Sequence, residues 1–394
     1  MAATVPAKTN FKMPTIAAHA AFVPIGVVTV ILGPMLPALS ARWSLDYAQA
    51  GSLFTVQFVT ATLGVVLSGL VVHHWGYRLA ITLGLVAMVI GVSALTAHFW
   101  QLGVAGVSCY GFGLGLAIPA CNLMVAKVNP ERRSAALNQL NFSWSVGAVV
   151  CPFLIAHAVK RGSLSLLLYV LAGLMLLIAL VISKSSSWDI ESVCTSGDPP
   201  KRGSAAWNDR FIMILSLLFF LYVGVENAIG GWAASYAKTI RGGLSTFAVA
   251  SPSFYYAALM CGRLLAPFVL RKVPEITVAR AGLLVACLGM AGLVLAGTLP
   301  AMVVTVTIIG LGLSAVYPIT ISLLSKRFGS EAPRIGSLMF TIANFGGATL
   351  PWLVGYSSTL AGSLRIGLLT PLAGGLSMLA LYPRAFGNDH MTRT

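Results

Sequence analysis

Of the ten acidic residues in this chain, only Glu226 lies deep inside a stretch apolar enough to cross a bilayer. Holding an ionised carboxylate at mid-membrane costs roughly 2.5 to 3.5 kcal/mol on insertion scales. The side chain must therefore face a wet cavity, find a cation, or carry a proton. Two kinds of chemistry follow: loading and releasing a proton, or accepting hydrogen bonds from a hydroxylated solute. A Glu that only ties helices together is the structural alternative.

Arg263 is the cation to weigh as its partner. Glu226 lies sixteen residues beyond Arg210, roughly 24 Å along a helix, whereas Arg263 lies eight residues before Arg271, roughly 12 Å from the same membrane face. The count expects the two at different levels. Arg263 would then snorkel toward that face or bond helix-end carbonyls there, a place for a gating residue, and direct pairing is the lesser reading. Counted in the same way, Gln57, Asn141, Trp144, Tyr255, Tyr317 and Asn344 fall in the middle third of the membrane or at its edge. With Glu226 and the adjoining Asn227 they form the candidate substrate-binding set. Amides beside aromatic platforms suit a neutral hydroxylated solute better than an ion; for any one of them, packing or an interhelical hydrogen bond is the plainer role. Asn138, Asn141 and Ser145 share one helical face, which is either part of the path or polar glue.

These residues need elements to hold them, and composition says what kind. The 394 residues are 57% hydrophobic and 9% charged, against about 25% charged in a soluble domain, with a mean hydropathy of +0.88. No polar coat for a soluble domain is available, so the fold class is an all-α membrane protein. Apolar stretches fall at about 14–39, 47–72, 79–97, 101–126, 134–158 and 163–182, then at 211–238, 246–270, 277–297, 300–324, 335–361 and 364–383. Twelve spans result, as a six-helix unit over 1–182, a linker over 183–210 rich in Ser, Gly, Pro and acids, and a six-helix unit over 211–394. The first run is too long for a signal peptide and reads as an uncleaved helix. Prolines 34, 37, 152 and 351 are expected to kink helices around a cavity.

The net charge of +15 does not point to nucleic acid, because the bases sit at the ends of apolar runs. With a cytoplasmic N-terminus, 18 of the 25 bases lie inside, six lie outside, and Arg263 is left within a span. Both termini are therefore expected inside, and the short loops suit a bacterial inner membrane.

Little else offers chemistry. Five of the six cysteines lie in apolar segments and none is in a CxxC spacing; the six histidines are scattered. No metal site, cofactor or membrane enzyme is indicated. His19 is an interfacial histidine with a pH-sensing alternative. Gly310-Leu311-Gly312-Leu313-Ser314-Ala315 matches a dinucleotide pattern formally, but no strand precedes it, and small residues in an apolar helix mark close packing. No nucleotide-binding loop is present to make ATP the energy source.

An internal repeat is the most informative pattern. Gly113 to Pro119 reappears 199 residues later as Gly312 to Pro318, with Lys127 matching Lys326, Gly147 matching Gly346 and Pro152 matching Pro351. At an offset of 198, Gly26 matches Gly224 and Gly64 matches Gly262. The offset spans an even number of helices, so the halves are parallel repeats about an axis along the membrane normal.

Two parallel six-helix halves resemble the major facilitator superfamily. Span seven, Tyr222 to Trp232 around Glu226, is similar to the Glu-containing seventh helix of the fucose-permease-like sugar transporters, as are span five with Asn138, Asn141, Gly147 and Pro152 and span eleven with Asn344, Gly346, Gly347 and Pro351. The resemblance implies two pseudo-symmetric bundles and a secondary transporter of a sugar or similar hydroxylated solute, working by alternating access and sufficient as a monomer; coupling to protons is not inherited from it and is expected from the buried carboxylate of Glu226 itself. The sequence departs from the family in two places. The gating loop after span two reads His73, His74, Gly76, Tyr77, Arg78, keeping a base at Arg78 but no acid. Spans one and four lack the acids expected of fucose-permease-like proteins. Export of drugs or amphiphilic metabolites is the alternative within transport, and a membrane nutrient sensor the alternative outside it.

Overall fold

The computed structural model describes residues 12–184, 210–242, 245–328 and 332–386. All but Ser183, Lys184 and Arg210 of the expected linker lies outside them. The described residues form fifteen helices: α1 (Lys12–Val30), α2 (Leu32–Trp43), α3 (Tyr47–Ala94), α4 (Trp100–Val128), α5 (Arg133–Lys160), α6 (Leu164–Lys184), α7 (Arg210–Arg241), α8 (Thr246–Ala250), α9 (Pro252–Val269), α10 (Glu275–Leu295), α11 (Leu299–Leu313), α12 (Val316–Phe328), α13 (Ala332–Ala361), α14 (Leu364–Gly367) and α15 (Leu369–Phe386). In hydrocarbon only a helix satisfies its own backbone polar groups, which is why apolar runs of this length become helices. Ten helical segments among the described residues are long and apolar enough to cross a membrane. One of them, α3, supplies two crossings, and α8 with α9 supplies another, so each of the twelve expected spans has its helix.

Proline chemistry explains three of the four breaks within spans, those that divide α1 from α2, α11 from α12 and α14 from α15. Proline cannot donate to the carbonyl four residues back and its ring collides with it. Those carbonyls belong to Val30 for Pro34, Ser314 for Pro318 and Gly367 for Pro371, and all three stand where one helix gives way to the next. Pro37, Pro152 and Pro351 lie inside continuous helices instead.

Helix α3 turns back at Gly76, whose φ of 82° and ψ of 171° are open to glycine and strained for any other residue. Its first arm runs parallel to α4, with Gly111 against Gln57 and Gly115 against Ala61 and Val65. Its second arm runs antiparallel, with Gly84 against Gly113 and Gly91 against Gly106.

The repeat is visible in the packing. On α5, a methyl at Gly147 would strike the carbonyl of Val23 in α1; on α13, a methyl at Gly346 would strike that of Phe220 in α7. The same glycine, 199 residues apart, sets the same close helix approach in each bundle.

Candidate functional site

Between the bundles lies a cavity of about 340 Å³, within the size range of small-molecule sites. Its wall holds Gln57, Asn141, Trp144, Glu226, Arg263, Tyr317 and Asn344, so six of the eight expected substrate-binding residues come together with both bundles contributing. Two do not. Tyr255 is fully buried behind the wall, where its hydroxyl donates to the Glu226 carbonyl at 3.4 Å. Asn227 spends its amide on the Val223 carbonyl at 2.8 Å. Depth counting put Tyr255 at mid-membrane and adjacency put Asn227 beside Glu226, but neither fixes which way a helix faces.

Arg263 requires the larger correction. It does not stay near the membrane face. Its Nη2 lies 3.6 Å from Glu226 Oε1, and the two side chains are 28% and 15% exposed. The count failed because α7 has 32 residues and is about 48 Å long, well beyond a hydrocarbon core of about 30 Å. Counting inward from Arg210 therefore overstates the depth of Glu226. The contact is loose, longer than the 2.7–3.2 Å usual for N–H···O, and Arg263 Nε is buried with no hydrogen-bond partner among the described residues.

The N-terminal wall is wired shut. Gln57 is 3% exposed; its Nε2 donates to the Thr29 carbonyl at 3.1 Å and its Oε1 accepts from the Tyr110 hydroxyl at 2.9 Å. Trp144 Nε1 donates to Thr29 Oγ1 at 3.1 Å, which donates in turn to the Ile25 carbonyl at 2.7 Å. Thr29 is the residue sequence reasoning missed. The clue was available, since it occupies the position 198 residues before Asn227. The stripe on α5 divides: Asn141 lines the cavity, Ser145 is buried and bonds the Asn141 carbonyl, and Asn138 is exposed outside the wall. His19 sits beside this wall with Nδ1 2.8 Å from Ser143 Oγ. Arg78 is half-buried, two residues past the Gly76 turn and apart from the wall. On the C-terminal wall, the Asn344 amide and the Tyr317 hydroxyl have no protein hydrogen-bond partner among the described residues, although the Tyr317 ring stacks on Tyr222 at 5.3 Å.

The cavity is sealed toward one membrane face. Ala48 N donates to Thr359 Oγ1 at 2.9 Å, Thr55 Oγ1 to the Ala348 carbonyl at 2.7 Å, and Ser253 Oγ to the Val149 carbonyl at 2.8 Å. Trp232 packs against Tyr47 and Phe54 with ring centroids 6.1 and 6.4 Å away. In the helices that supply these contacts, the cavity residues lie on one side of the seal, toward the face carrying Lys127, Arg132, Arg133, Arg271, Lys272, Lys326 and Arg327. Beyond the seal is a second cavity of about 570 Å³, with Asp46, Tyr47, Trp232, Lys238 and Thr359 in its wall.

The family model for the Major Facilitator Superfamily matches residues 19–351. The glucose/mannose transporter GlcP of Bacillus subtilis is 22% identical over 374 residues, covering 90% of this chain and 90% of that protein. Among solved structures, a bacterial homologue of the human lysosomal transporter Spinster, in an inward-facing and unoccupied conformation, has a TM-score of 0.79 at 13% identity, covering 97% of this chain and 99% of that one. A variant of FucP, the fucose:proton symporter of E. coli, has a TM-score of 0.62 at 18% identity, covering 95% and 99%.

Proposed function

The chain belongs to the major facilitator superfamily, and from that premise we propose that it is a secondary active transporter of a sugar or related hydroxylated metabolite, with Glu226 as its proton-coupling group. The observation that carries this reading is the cavity, which is shared by both bundles, sealed at one face and lined by apolar and aromatic side chains around a few polar ones, of which the Asn344 amide, the Tyr317 hydroxyl and the Arg263 guanidinium have bonding capacity left. GlcP and FucP, whose names give a hexose and a fucose with a proton as their cargo, support the substrate class.

In this reading the basic face is cytoplasmic, both termini lie inside, the membrane is the bacterial inner membrane, and the state described is inward-open. Gln57, Asn141, Trp144, Tyr317 and Asn344 hold the solute. The two halves rock about this site until the seal around Trp232 opens and the basic face closes, where Arg78 in the Gly76 turn takes part in the closing contacts. One chain holds the whole cavity, so a monomer suffices.

Glu226 and Arg263 perform the coupling. While Glu226 is ionised, Arg263 balances it and the empty cavity carries no net charge. A proton arriving on the carboxylate frees the guanidinium for another acceptor. The expected result for Glu226→Gln is loss of uphill sugar accumulation in proteoliposomes with retention of counterflow exchange. A mutant that accumulates like the parent overturns the coupling role.

A further inference from the structure

Arg263 is under-used for a buried guanidinium. It has five N–H donors in a planar fork that matches a carboxylate through two parallel bonds. Here it meets Glu226 through one nitrogen, at 3.6 Å, and interacts with the Tyr222 hydroxyl, while its Nε has no partner among the described residues. A buried donor left unpaired is costly, so the fork calls for an acceptor that arrives with the cargo. The neighbouring wall offers the amide of Asn344 and the hydroxyl of Tyr317 on one side and, on the other, the Oδ1 of Asn141, whose Nδ2 already donates to the Leu137 carbonyl at 2.8 Å.

From this geometry we propose that the cargo is a hydroxylated monocarboxylate, a sugar acid whose carboxylate docks on Arg263 while its hydroxyls meet Asn141, Asn344 and Tyr317. The proposal rests on the reading of this cavity as the transport site and narrows its substrate class. Charge balance then links cargo and proton. With Glu226 ionised, entry of an anion leaves the cavity at a net charge of minus one in a medium of low dielectric, which is costly. With a proton on Glu226, the carboxylate replaces it at Arg263 and the net charge returns to zero. One anion therefore enters with one proton, and the loaded cavity crosses the membrane neutral. The groups that face Glu226 are Tyr222 on its own helix, Tyr255, Tyr256 and Arg263 on α9, and Tyr317 on α12; none is a second acid or a histidine, so Glu226 is the group that takes the proton. Binding of the acid tightens as pH falls, and binding of a neutral sugar does not follow it.

The test is calorimetry on the purified full chain with a panel of hexonates and hexuronates and the corresponding neutral aldohexoses. Each is measured at pH 7.5 in two buffers of different ionisation enthalpy. The expected result is that an acid of the panel binds about tenfold or more tightly than its neutral counterpart, the gain of a charged hydrogen-bonded pair, and takes up close to one proton per molecule bound. Arg263→Lys keeps the charge without the fork and should lose most of the preference for the acid while retaining proton uptake. Binding of neutral sugars with no preference for any acid overturns the proposal and leaves sugar transport standing, as does acid binding without proton uptake. Binding of neither class overturns both.

Discussion

On the N-terminal side of the cavity, Gln57 has both ends of its amide committed to Thr29 and Tyr110, and Trp144 is tied to Thr29. On the C-terminal side, Glu226 and Arg263 face each other at 3.6 Å with donors to spare. The repeat makes this a comparison of equivalent places. Offset by 198, Glu226 corresponds to Val28, Arg263 to Val65, and Tyr255 to Gln57. The same substitution of charge by neutrality recurs near the basic face, where Lys326 meets Glu275 at 2.8 Å. The matching Lys127 lies 5.7 Å from the centroid of the Tyr77 ring, and Tyr77 is the equivalent of Glu275. One scaffold thus carries a neutral bundle whose polar groups are already paired and a charged bundle with pairing capacity left over. The first gives the cavity a rigid wall, and the second can respond to a ligand or a proton.

The largest expected effect comes from breaking the charged side. Glu226→Ala leaves the Arg263 charge unpaired, which costs about 3–5 kcal/mol when fully buried; with both groups partly wetted, about 2 kcal/mol of stability should be lost. Arg263→Ala should cost a similar amount, and the double variant less than the sum of the two. Thermal melts of detergent-purified protein measure all three, and additive losses would mean that the 3.6 Å contact carries no coupling.

On the neutral side, Gln57→Ala strands the buried Tyr110 hydroxyl and the Thr29 carbonyl, at a cost of about 1–2 kcal/mol. It should lower the melting point and weaken solute binding without changing the pH dependence of transport. A shifted pH profile would show that the N-terminal wall is not a passive partner. The smallest effect is expected at the basic face. Lys326→Gln removes a partly exposed ion pair worth at most about 1 kcal/mol, and Lys127→Gln a cation–π contact of about 0.5–1 kcal/mol. Raising salt in the melts should narrow the gap between wild type and Lys326→Gln; a gap that salt leaves unchanged would mean that the pair with Glu275 carries no charge interaction.

Much of this site was legible because lipid imposes level. Residues counted from the flanking charges came within reach of one another, and Gln57, Asn141, Trp144, Tyr317 and Asn344 do share a wall; Glu226 shares it too, although the count from Arg210 put it too deep. Tyr255 shows what level leaves open. It is as deep as the others, yet it points into packing and supports the Glu226 carbonyl. Thr29 was passed over because one hydroxyl in an apolar run carries no pattern of its own; its meaning comes from Gln57 and Trp144, which reach it from α3 and α5.

Continuous apolar runs of about 20 residues or more cross hydrocarbon as helices, so the run lengths, the glycines and the offset of 199 were enough to determine twelve spans and two like halves. The meeting of Arg263 with Glu226, and the face on which the halves close, were decided by tertiary structure alone. An ion pair or a seal depends on the rotation and overhang of each helix, and these follow from how neighbouring surfaces fit together, which a one-dimensional count of depth does not contain.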